Sequence, residues 1–278
     1  MKNSIHSTEQ RTNMMTSKKN LNIYYELHGD PKSPPMVLIS GLRADHTGWA
    51  TITDELAKDY YVLVFDNRGT GQTTGDDTYF SVDTMAEDTI TLMKQVGFES
   101  AFIVGHSMGG AIAQVIAHRY PRYTTSIVLM NTFIKLNNAA KAAFVKVEDH
   151  YEKGSSPAEI MDHIIPWVFS DSFITGEILA LIRDASMQDT HPQTAMGYHR
   201  QMKALCDFNS STWVSDVALP TLVIGSTNDI TATEEESKQL HQRIRNSKLA
   251  ILQGGHASTV EQPQELLTML RAFCSIQQ

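Results

Sequence analysis

Short apolar runs recur along the chain, and most are followed by a longer segment with helical spacing. Residues 36–40 (MVLIS), 61–65 (YVLVF), 101–104 (AFIV), 126–130 (SIVLM), 221–224 (TLVI) and 249–252 (LAIL) are rich in apolar side chains. Such runs predict strands buried on both faces of a parallel sheet. Residues 21–28 (LNIYYELH) predict a further strand, ended by Gly29-Asp30-Pro31. Between the runs, residues 81–96 place Met85, Ile90, Leu92, Met93 and Val96 on a rough helical period and stop at Gly97. Residues 108–120 predict a helix ended by Pro121, and 234–244 and 265–273 predict two more. Repeated strand–helix alternation predicts an α/β fold: a mostly parallel central sheet flanked by helices.

The rhythm breaks between residues 132 and 216, where no buried-strand run appears. Breaks near Gly154, Pro157, Pro166, Gly176 and His191-Pro192 divide this stretch into several helices. It is rich in large apolar groups, among them Phe144, Trp167, Phe169, Tyr198 and Trp213. The expectation is a helical cap at 132–216, inserted between two late strands of a core formed by 21–131 and 217–278. In open α/β sheets, ligands bind beyond the carboxyl ends of the strands, which is where such a cap would sit. Residues 1–20 are polar and mildly basic, and read as a flexible N-terminal extension without the apolar centre of a secretory leader.

Composition narrows the class. At 278 residues the chain can bury about 75% of its unfolded surface. With 41% hydrophobic and 19% charged residues, it reads as globular and not disordered. A net charge of −8 without a basic run argues against nucleic acid or an anionic membrane as partner. No stretch approaches the roughly 20 apolar residues of a membrane span. Cys206 and Cys274, the only two cysteines, form neither a disulfide framework nor a zinc pattern and fit a reducing, cytoplasmic setting. Nothing in the pattern speaks to oligomeric state.

Candidate chemistry starts at Gly105-His106-Ser107-Met108-Gly109, a G-x-S-x-G between a predicted strand and a predicted helix. That context predicts a sharp turn that lifts the Ser107 hydroxyl above the sheet, beside a helix N-terminus able to stabilise developing negative charge. Serine needs a base. Of the eleven histidines, His256 in Gly254-Gly255-His256-Ala257 follows the last predicted strand and so reaches the same sheet edge. His106 adjoins the nucleophile but is expected to point elsewhere. The base needs a carboxylate to hold its tautomer. Asp229 follows the strand TLVI, while the rival position after SIVLM holds Asn131-Thr132 and supplies none. The chain order Ser107, Asp229, His256 is the one expected of this fold.

With these residues in place, the chain resembles the α/β-hydrolase superfamily, in its cap-bearing branch of small esterases, enol-lactonases and cofactor-free haloperoxidase-like enzymes. The likeness runs from about residue 21 to the C-terminus. It includes Asp66-Asn67-Arg68-Gly69-Thr70-Gly71-Gln72-Thr73, similar to that branch's D-x-R-G-x-G-x-S/T loop. The resemblance implies that Asp66 and Arg68 organise loops. It also implies an oxyanion hole made by the backbone N–H groups of Met108 and of Leu42 in Ser40-Gly41-Leu42-Arg43. Many relatives carry His-Gly where this chain has Ser40-Gly41. Arg43 could meet a substrate carboxylate or be a solvated loop arginine. Arg43 and Trp167 stand as candidate substrate contacts.

No H-E-x-x-H or His/Cys cluster suggests a metal, and no nucleotide loop is present. The expectation is cofactor-free cleavage of a small-molecule ester or lactone with an apolar part, through an acyl-enzyme. Carbon–carbon bond hydrolysis, perhydrolysis and acyl transfer would use the same parts. A slow-turnover ligand receptor is the alternative from a different class.

Overall fold

The computed structural model describes residues 11–16, 21–75 and 78–277. Eight strands form one sheet: β1 (Arg11–Thr16), β2 (Asn22–His28), β3 (Pro35–Ile39), β4 (Tyr61–Phe65), β5 (Ala101–His106), β6 (Thr124–Met130), β7 (Thr221–Ser226) and β8 (Ser247–Leu252). Their spatial order is β1-β2-β4-β3-β5-β6-β7-β8. Only the β1–β2 and β2–β4 pairs are antiparallel. The rest are parallel, as expected of strands joined by helical crossovers.

Alternation along the strands explains the near-continuous apolar runs. Val37, Ile39, Leu63, Phe65, Ile103 and Leu129 belong to the core on one face of the sheet. Met36, Leu38, Val62, Val64, Val104 and Met130 belong to the core on the other. Helices α2 (Val82–Gln95), α3 (Met108–Arg119) and α8 (Glu234–Arg243) pack into the first core. Helices α1 (Ala50–Leu56) and α10 (Pro263–Cys274) pack into the second. Both faces are covered, so the middle positions of the central strands are apolar whichever way they point. α1 lay unmarked in the sequence because its seven residues carry only Ile52, Thr53 and Leu56 inward.

Four helices lie between β6 and β7: α4 (Asn138–Glu152), α5 (Pro157–Val168), α6 (Gly176–Gln188) and α7 (Ala195–Asp207). Asn137, Ser156, Thr175 and Thr194 cap them through side-chain oxygens. Pro166 does not break the insertion as expected; it sits inside the last turn of α5. The carbonyl it leaves unpaired there is that of Asp162, on the exposed face of the helix. A short α9 (Ser258–Glu261) follows β8. Part of the expected N-terminal extension is instead sheet. Arg11 pairs opposite Leu27 and Thr16 opposite Asn22 at the sheet edge. RTNMMT has no apolar run, so backbone pairing alone defines that strand. Residues 1–10 and 17–20 of the expected extension lie outside the described residues. Among the described residues, no helix is long and apolar enough to cross a membrane.

Candidate active site

The turn between β5 and α3 is set by two glycines. A Cβ on Gly105 would stand 2.2 Å from the Gly109 carbonyl oxygen, and a Cβ on Gly109 would stand 2.0 Å from that of Ile39. Only glycine fits at either place, so the G-x-S-x-G spacing is a steric requirement. Between them Ser107 adopts φ 55°, ψ −117°, a conformation L-residues rarely occupy. The strained turn is held by its neighbours. Ser107 N–H donates to Met130 O at 2.9 Å, and the Ser107 carbonyl accepts from Thr132 Oγ1 at 2.7 Å and Gly110 N at 2.9 Å.

At the same sheet edge, His256 Nδ1–H donates to Asp229 Oδ2 at 2.8 Å. That bond fixes the tautomer and leaves Nε2 as the imidazole's acceptor. Asp229 is saturated with donors: Asn131 Nδ2 reaches Oδ2 at 2.9 Å, and Thr231 N and Ala232 N reach Oδ1 at 2.8 and 2.9 Å. Burial alone would raise its pKa, but the His256 imidazole and these hydrogen bonds outweigh it and hold the carboxyl below its usual value.

Ser107 and His256 line one cavity of about 380 Å³, within the range of small-molecule sites. Its remaining wall comes from the insertion and the β3 loop: Phe144, Met161, Ile164, Val168 and Tyr198, with Leu42 and Arg43 opposite. The backbone N–H groups of Leu42 and Met108 carry no hydrogen bond among the described residues. The Ser40-Gly41 variation is accommodated, because Ser40 Oγ donates to Asp45 O at 2.8 Å and Asn67 Nδ2 donates to Ser40 O at 3.0 Å. Trp167 is placed differently from expectation. It is not among the residues lining this cavity, whereas Met161, Ile164 and Val168 on the same helix are. Those three share a face at helical spacing, and Trp167 lies to its flank, where its carbonyl accepts from Thr231 Oγ1 and its ring lies 6.5 Å from Phe144.

The architecture has many counterparts. An enol-lactonase from Burkholderia xenovorans superposes with a TM-score of 0.86 at 22% identity, over 95% of this chain and 100% of that one. A hydrolase from Pseudomonas aeruginosa gives 0.85 at 20%, over 95% and 98%. A family profile described as alpha/beta hydrolase fold matches residues 34–153. This chain has the α/β-hydrolase fold. A curated relative from Stutzerimonas stutzeri, named as a carbamate hydrolase, RutD, is 29% identical to this α/β hydrolase over 86% of its length and 91% of the relative's.

Within this α/β hydrolase, several supporting residues carry no sequence signal of their own. Asn131, which sequence reasoning set aside for lacking a carboxylate, donates to Asp229 and to Ser226 Oγ and accepts from Ser258 Oγ. Its position at a strand end beside Asp229 was the available clue. It also holds φ 46°, which asparagine tolerates better than most residues. His106 lines the same cavity as Ser107, and its Nε2–H donates to the His256 carbonyl at 2.8 Å. Burial, with the His256 imidazole 4.8 Å away, pushes His106 down to about 4. Glu261 accepts from Gly255 N beside His256 and from Ser170 N and Oγ on the insertion.

Asp66 and Arg68 act on loops. Asp66 accepts from His46 N, His46 Nδ1 and Gln72 N, while Arg68 pairs with Asp88 through two hydrogen bonds. Asp45, His46 and Asp66 bring donor atoms within 4.8 Å of one another. Those oxygens already accept protein hydrogens, Asp45 Oδ1 from Thr47 N and Oγ1. The cluster is built as a loop clasp.

Proposed function

We propose that this α/β hydrolase cleaves a carboxylic ester or lactone through a serine nucleophile and an acyl-enzyme. The observation that carries the reading is the shared cavity. Ser107 and the Asp229-bound imidazole of His256 line the same hollow, with the imidazole's Nε2 left as acceptor. In this reading Ser107 Oγ attacks the substrate carbonyl as His256 Nε2 takes its proton. Asp229 holds the imidazole and stabilises the imidazolium. The N–H groups of Leu42 and Met108 receive the oxyanion; donors of this kind are worth about 2.7–4 kcal/mol each in related chemistry. His256 then protonates the leaving alkoxide, and water, deprotonated by His256, releases the acid.

The helical cap would seat the apolar part of a small substrate against Phe144, Ile164 and Val168. The free thiols of Cys206 and Cys274 support a cytoplasmic setting. A second reading, cleavage of a carbamate, rests on the name of the S. stutzeri relative and uses the same attack on a carbonyl. Parallel assays with p-nitrophenyl acetate and a p-nitrophenyl carbamate separate the two. Ester turnover that falls about 10⁴-fold or more in Ser107→Ala supports the reading. Turnover near wild type in that variant rejects it.

A further inference from the structure

We propose that the substrate carries a carboxylate, and that Arg43 is the residue that receives it. The inference rests on the hydrolytic reading of the Ser107 cavity and adds a charge to its substrate. Arg43 follows Leu42, one of the two proposed oxyanion donors, and lines the cavity that holds Ser107 and His256. It also lines the adjoining hollow of about 590 Å³, so it stands at the junction of the two.

Its surroundings do not satisfy a cation. Arg43 Nε is buried and has no hydrogen-bond partner. Nη1 donates to the Met161 thioether sulfur at 3.0 Å, a weak acceptor. Arg68, Arg119, Arg183 and Arg271 each hold a carboxylate, at 2.5 to 2.7 Å. Arg43 holds none among the described residues. Asp45 and Asp189 line the same cavity, yet neither pairs with it. Instead, Asp45 Oδ1 accepts from Thr47 and Asp189 Oδ1 accepts from His191 N. A half-buried guanidinium without an anion is costly unless a ligand completes it.

The backbone is built to keep it there. Arg43 has φ 69°, a left-handed conformation that favours glycine and strains arginine. Its N–H donates to Gln201 Oε1 at 3.2 Å, and Gln201 Nε2 donates to Arg68 O at 2.8 Å. Gln193 Nε2 bonds both Gln201 Oε1 and Gly69 O. Two glutamines of the insertion segment thereby fasten the strained arginine to the 66–73 loop. Strain kept at a site by surrounding hydrogen bonds is a mark of positioning. A guanidinium fork in a partly dry cavity suits a carboxylate through paired N–H donors. Because Arg43 adjoins an oxyanion donor, that carboxylate must lie a few bonds from the scissile carbonyl.

The test uses p-nitrophenyl hydrogen succinate and hydrogen glutarate, each against its neutral methyl ester. Wild type is expected to favour the anion in kcat/KM by about tenfold or more for at least one length. Arg43→Met is expected to bring that ratio to near one, and Arg43→Lys to retain part of it. Calorimetric titration of Ser107→Ala with monomethyl and dimethyl glutarate and succinate reads the same preference without turnover, and Ser107→Ala/Arg43→Met should lose it. Wild type indifferent to the charge at both lengths, or a preference that survives Arg43→Met, overturns the proposal. If turnover depends on Ser107 but shows no preference, Arg43 is wrong and the hydrolytic reading stands. If no probe is turned over while Ser107→Ala still selects the anion through Arg43, the hydrolytic reading fails and the subsite stands.

Discussion

At the scale of single residues, the site is a chain of dependences. Asp229 orients His256, and Asn131 orients Asp229. Asn131→Ala removes a donor from Asp229 and leaves Ser226 Oγ and Ser258 Oγ without their bonds to it. It is expected to destabilise the protein by about 1–3 kcal/mol in urea unfolding and to lower ester kcat/KM. His106 makes stability depend on pH. Its imidazole titrates at about 4 when folded and at 6.5 otherwise, so below 6.5 the unfolded chain takes a proton that the folded one refuses. Folding stability from this group therefore falls as pH drops from 6.5 towards 4. The loss by pH 4.5 is about 2–3 kcal/mol. Asp229, whose folded pKa lies below its usual 3.8, adds stability that is lost only at still lower pH. Unfolding curves at pH 7 and 4.5 should show a smaller acid penalty in His106→Gln than in wild type. Ser107, His256 and Asp229 were legible as candidates because each follows a strand run. Asn131, His106 and Glu261 were not, since their roles depend on partners 98, 150 and 91 positions away.

At the scale of elements, the elbow joins β5 to α3 with no room to spare. Gly109→Ala places a methyl group 2.0 Å from the Ile39 carbonyl oxygen, against backbone that cannot rotate aside. The variant is expected to lose more than about 4 kcal/mol or fail to fold. Gly97→Ala is the comparison: its φ of 84° strains an alanine but nothing lies within 4 Å, so about 1 kcal/mol is expected. Urea unfolding of the two variants separates collision from strain. The parallel strands could be read from the chain because both faces are buried. β1 escaped because an edge strand needs only backbone pairing, and Pro166 misled because a proline in a last helical turn removes one bond and not the helix.

Across the whole molecule, Glu261 links two segments: it accepts from Ser170 N and Oγ on the insertion and from Gly255 N in the loop before His256. Ala257 N–H adds a bond to Val168 O at 2.8 Å. The loop that carries His256 and the insertion thus share one anchoring carboxylate. Glu261→Ala is expected to speed amide hydrogen exchange at Ser170 and Gly255 by about 10–100-fold, as loss of charge-assisted bonds of roughly 1.5–3 kcal/mol implies. Unchanged protection there would show that the other contacts hold the insertion down without Glu261. The presence of a helical insertion could be inferred from the missing strand runs. Which of its faces meets Ser107 could not, because amphipathic helices of this length can turn any apolar stripe inward until packed.

The central claim is that Ser107 is made nucleophilic by the His256–Asp229 pair. Its most direct measurement is labelling with a fluorophosphonate, followed by peptide mass spectrometry. The account predicts a single adduct on Ser107, absent in Ser107→Ala and slowed by orders of magnitude in His256→Ala. An adduct on another residue, or labelling of Ser107 that proceeds at the same rate without His256, would contradict it.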